Sequence, residues 1–160
     1  MAREQIVPGL ADPNTTSISG GARPKFRLVY FEQAVVKGEC QQWSDTSGKL
    51  GFGVEDSIAD SMHPAGVAAQ AVSAAGWGWL QTGGYCDYVQ GDGAVAAPGA
   101  DHSGDIYLVM NADEHAEGQA IADLQAADSG TLPGAFAINL AASDGDAGDA
   151  CTCILCCPYQ

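Results

Sequence analysis

Residues 76–93 read "GWGWLQTGGYCDYVQGDG". Side chains on a strand alternate between faces, so Trp77, Trp79 and Gln81 share one face while Gly78, Leu80 and Thr82 share the other. Gly83-Gly84 then offers a two-residue turn into "YCDYV", and the simplest reading is a β-hairpin. The chain around this stretch should therefore be built from strands.

The flanking segments agree. "FRLVYFEQAVV" (26–36) is rich in β-branched and aromatic residues, and Lys37-Gly38 ends it. "ECQQW", a polar "SDTSGK" turn, "LGFGVEDSI", "GVAAQAVS" after His63-Pro64, and "AVAAPGADHSGDIYLVM" follow at the spacing of short strands with glycine turns. This predicts a mainly β domain, a small antiparallel β-barrel or sandwich over residues 26–160, with at most one or two short helices. The helix candidate is "NADEHAEGQAIADLQAADSG", whose Ala120, Ile121, Leu124 and Ala127 approach helical spacing; an irregular loop is the alternative, and Gly118 weakens the helix. Residues 1–25, with their prolines, glycines and Ser/Thr cluster, read as an extended arm. A faint internal echo links "GFGVEDSIAD" to "GAFAINLAASD". Each follows a strand opened by glycine and an acid, "KGECQQW" and "SGDIYLVM", as a duplicated β-unit would; chance similarity of short strands is the alternative.

The net charge of −14 is unevenly placed. All six basic residues lie in the first 49 positions, whereas residues 50–160 carry fifteen acids and neither Lys nor Arg. Such a body repels phosphate backbones, so no nucleic-acid partner is expected, and it favours solubility. No apolar run approaches the roughly 18 residues of a membrane span, and the N-terminus lacks an apolar signal core, so no membrane partner is expected and synthesis in a cytoplasm is. Six cysteines made there begin as thiols.

The residues offer little catalytic chemistry. His63, His102 and His115 are flanked by small polar residues, and no nucleophile elbow, P-loop, dinucleotide fingerprint or zinc-protease helix occurs. Asp144, Asp146 and Asp149 in "SDGDAGDA" look like half of a calcium loop without its closing Glu, and a turn explains them equally. Four cysteines crowd "ACTCILCCPYQ", yet a structural zinc site needs a second, distant knuckle, and Cys40 and Cys86 are single. No cation lies near to activate a thiol. Read with period two, Cys151, Cys153, Leu155 and Cys157 face one way and Thr152, Ile154 and Cys156 the other, as in a closing strand buried on both faces. Late oxidation of Cys40 with Cys86, or of tail cysteines between protomers, would fit such a placement. No catalytic residue, metal ligand or cofactor is expected.

The order of an N-terminal arm, "VVKGEC", "GFGVEDSIAD", "GVAAQAV", "GWGWLQTGGYCDYVQGDGAVAAPG", "GDIYLVMNADEHAEG" and "GAFAINLAASD" resembles the head-decoration, or capsid cement, proteins of tailed bacteriophages. The resemblance spans residues 28–158 and rests on glycine and aromatic spacing, Gly76-Trp77-Gly78-Trp79-Leu80-Gln81-Thr82-Gly83 above all. It implies a decoration-protein-like barrel and a non-enzymatic role on the outer capsid surface of the virion, bridging neighbouring major capsid proteins as a homotrimer. Ile6, Val7, Leu10, Arg23, Lys25 and Arg27 are then the candidates for capsid contact. Trp77, Trp79 and Tyr85 are candidates for the trimer interface, although core packing is the favoured reading of this aromatic segment. Two other functions remain open: a virion appendage that binds a host glycan or receptor, and a metal-binding or redox protein that uses the cysteine tail.

Overall fold

A computed structural model describes residues 23–44, 53–56, 63–93, 95–96, 104, 107–111, 113–119, 135–141 and 149–157. Among the described residues nine strands form one sheet: β1 (Lys25–Phe31), β2 (Cys40–Trp43), β3 (Gly53–Asp56), β4 (Pro64–Ala68), β5 (Gly76–Gln90), β6 (Tyr107–Met110), β7 (Ala116–Gln119), β8 (Ala137–Asn139) and β9 (Ala150–Cys156). Among the described residues there is no helix. The helix candidate is corrected where it is described. Residues 116–119 are a strand, with Gly118 opposite Leu108 and buried Ala116 opposite Met110, and residues 120–130 lie outside the described residues. Pairing with β6 satisfies backbone groups that a helix would have paired internally.

The predicted hairpin is also corrected. Residues 76–90 are one continuous strand of 15 residues, about 50 Å of extended chain. The N-terminal half of β5 pairs with β1 on one side and β4 on the other, and its C-terminal half pairs with β9. Gly83 marks the handover, standing opposite both Lys25 and Cys156. Gly84 has φ +81° and produces a kink without a reversal. A Cβ there would lie 2.1 Å from the Arg23 carbonyl oxygen, so only glycine fits under the chain entering β1. The buried Gln81 amide supports the kink, donating to the carbonyls of Gly83 and Tyr85 and accepting from the Tyr88 hydroxyl.

In order β1-β3-β2-β4-β5, with β1 returning to β5, five strands close a barrel. An odd ring cannot alternate direction all the way round, so one contact must be parallel; here it is β1 with β3. Val29, Phe31, Val54, Ala68 and Leu80 fill the interior, and Trp43 and Val72 pack against them. A ring this small has room for few large side chains, and the inner positions of β5 show it. A Cβ on Gly78 would lie 2.4 Å from Val72 Cγ2 and 3.1 Å from the Phe31 ring. The glycines of "GWGW" face inward because Phe31 and Val72 occupy that space.

The remaining strands run β5-β9-β8-β6-β7. Among the described residues this second circuit returns to the chain just beyond β5 through one parallel bridge, Gly91 to Ala116, with Asp92 N–H donating to the Ala116 carbonyl at 2.9 Å. Its core holds Leu108, Met110, Phe136, Val89 and five cysteines. The two echoing phrases fall at comparable places, on β3 and β8. Each is second from β5 in its circuit and paired antiparallel to the strand carrying the other half of the echo, β2 or β6.

Candidate functional site

Alternation on β1 and β5 sends Phe31, Val29, Gly78 and Leu80 inward, which leaves Leu28, Tyr30, Trp77 and Trp79 on the outer wall. The register places Tyr30 directly opposite Trp77 and Leu28 opposite Trp79. Tyr30 and Trp77 meet edge to face, centroids 5.6 Å apart at 68°, an arrangement aromatic quadrupoles favour. Trp77 is 52% exposed and Leu28 45%. Burying apolar area stabilises by about 25 cal/mol per Å², so an outward Trp and Leu leave that gain unused within the chain. Leu28 and Trp77 are thus exposed apolar side chains on one outer wall, flanked by half-buried Tyr30 and Trp79.

Trp77 and Trp79 thus stand outside both cores. Tyr85 falls in a different row, beyond the kink, opposite Ile154, which in turn faces Ile138 and then Tyr107 across β9, β8 and β6. Of this row Ile138 is exposed and the others are half-buried. Leu28 and Tyr30 were not singled out by sequence. Their shared parity in "FRLVYF" was visible, but their position beside the tryptophans depends on a strand partner some fifty residues away.

Ile6, Val7 and Leu10 lie outside the described residues. Arg23 and Lys25 are exposed where the chain enters β1 beside Gly84. Arg27 is half-buried on the inward side of β1, its guanidinium 4.8 Å from the centroid of the Trp43 ring. This cation–π contact occupies the face of the guanidinium.

The cysteine tail keeps its predicted alternation, but only one face is buried. Cys151, Cys153, Leu155 and Cys157 enter the second core, Thr152 and Ile154 are half-buried, and Cys156 is exposed. Burial pushes the Cys157 thiol up to about 12, with Cys156 and Cys86 adding to the effect. Burial likewise holds Cys40 well above the ordinary thiol value, helped by Cys157, Cys86 and Cys151. Near neutral pH these thiols are neutral apolar groups. Among the described residues no group of three or more His, Cys, Asp or Glu is arranged to hold a metal ion. His63 is exposed and His115 half-buried; His102, Asp144 and Asp146 lie outside the described residues.

A closed five-stranded barrel fused through one long strand to a second strand circuit, with an aromatic outer wall, defines a class of small, mainly β module. No protein-family model matches the chain, and no curated protein does. Among solved structures it is similar to the head fiber gp8.5 N base of bacteriophage phi29. The TM-score is 0.55 at 12% identity, over 86% of this chain and 98% of that one. The two chains share a fold.

Proposed function

We propose that this chain is a structural protein of a bacteriophage head that attaches to the outside of the capsid. The observation that carries the reading is the fold shared with a phage head-fiber base over nearly the whole of that chain. The uneven charge supports it: the basic residues gather at the N-terminal end, so an acidic body can face solvent while the entry to β1 faces a partner. Residues Ile6, Val7 and Leu10, followed by exposed Arg23 and Lys25, contact the major capsid protein by strand addition. The Leu28, Tyr30, Trp77 and Trp79 wall joins protomers into a trimer, and three arms turn weak single attachments into a durable clamp across neighbouring capsid subunits.

One observation favours a second reading. An outward Trp paired with an outward Tyr is also a platform on which a sugar ring of a host glycan can stack.

Co-sedimentation with shells lacking the protein tests both. The full chain is expected to pellet with shells, and a chain lacking residues 1–22 to lose at least tenfold in affinity. Trp77→Ala is expected to weaken self-association measured by sedimentation velocity. Undiminished binding without residues 1–22 overturns the arm, and failure of the full chain to bind shells overturns the capsid reading. Binding to host cells that Trp77→Ala abolishes would favour the second.

A further inference from the structure

Cys86 on β5 and Cys153 on β9 stand directly opposite each other in the antiparallel ladder, both buried. Opposed residues in such a ladder have Cα atoms about 4.5–5.5 Å apart, inside the roughly 4.4–6.8 Å a disulfide spans. The other core cysteines lack this placement: Cys151 faces Val89, and Cys40 faces Val67. Exposed Cys156 faces Gly83 on the outer side of the strand.

We propose that Cys86 and Cys153 form an oxidative cross-link site whose co-reactant is a low-molecular-weight disulfide. One protein thiol loses its proton and attacks a sulfur of the reagent, forming a mixed disulfide and expelling one small thiolate. The second protein thiolate then attacks the protein sulfur of that mixed disulfide and expels the other. Two protein thiols become one disulfide, the reagent becomes two thiols, and two electrons pass from protein to reagent. The bond ties β9 to β5 beside an irregularity in their register between Cys86 and Val89, in a circuit otherwise closed by the Gly91–Ala116 bridge. This inference does not depend on a capsid role.

The full chain, first reduced, is incubated with 2-hydroxyethyl disulfide, and its thiols are counted in denaturant. Loss of two of the six thiols, a peptide map joining Cys86 to Cys153, and a melting temperature higher by roughly 10 °C are expected. Oxidation should quicken as pH rises, because burial and the neighbouring thiol hold Cys153 protonated. Cys86→Ala and Cys153→Ala should each abolish the intramolecular link, and Cys40→Ala and Cys156→Ser should keep it. If the first two fail to fold, the map of the unsubstituted chain decides. A map joining Cys40 to Cys86, links only between chains through Cys156, or six thiols surviving treatment that oxidises the unfolded chain would overturn the proposal.

Discussion

The two strand circuits share β5 but are closed and filled differently. The first is sealed by a ladder running from Lys25 to Phe31 against Gly76 to Gly83, and its interior holds Phe31, Leu80 and valines. The second is sealed, among the described residues, by a single bridge, and cysteines supply much of its interior. A ring closed by a full ladder fixes its own radius and admits few large side chains. A ring closed at one point depends more on its contents, and the small, polarizable thiol fits irregular gaps. One strand thus supports two solutions, divided at Gly84.

Breaking the division should cost most. Gly84→Val needs a β-branched residue at φ +81° with its Cβ inside the Arg23 carbonyl contact. A loss of about 3–5 kcal/mol is expected, read as a shifted urea midpoint or loss of soluble protein.

Next come substitutions that separate the circuits. Phe31→Ala should cost about 3–5 kcal/mol and Cys153→Ala about 1 kcal/mol, the latter losing only a sulfur's burial. Hydrogen exchange sharpens the comparison. If the circuits open separately, Phe31→Ala speeds exchange in β1 and β3 while β8 and β9 keep their protection. Uniform acceleration would show one cooperative unit.

The smallest effect lies between the circuits, where Cys40 N–H donates to the Glu114 carbonyl at 2.6 Å. Partial burial raises the Glu114 carboxyl above its ordinary 4.5, and Asp56 and Glu39 add to this. Burial also raises Asp56 above 3.8, with Glu55 contributing and the Gln41 hydrogen bond opposing. A carboxyl raised in the folded state binds more protons there than when unfolded, so stability falls as pH rises through that window. The melting temperature should therefore gain slightly between neutral pH and about 5. Glu114→Gly removes one acid and relieves φ +61°; a gain of about 0.5–1 kcal/mol and a flatter pH profile are expected.

Much of the candidate surface was legible in residue order. Period-two alternation in "GWGW" puts both tryptophans on one face, but nothing local says that this face is the outer wall. "ACTCILCC" announced which cysteines share a face. Leu28 and Tyr30 were missed because cross-strand neighbours depend on register, which no local pattern carries.

Sequence alone determined the β character, the alternation on β1, β5 and β9, and the gathering of basic residues at one end. These are local consequences of side-chain geometry and composition. Tertiary structure decided that Gly83-Gly84 kinks a strand where a turn was expected, that β1 lies parallel to β3, and that Cys86 meets Cys153. A glycine only permits positive φ. Whether the chain then reverses or continues depends on which distant strand takes up its hydrogen bonds, and here β9 and the Gln81 amide take them up.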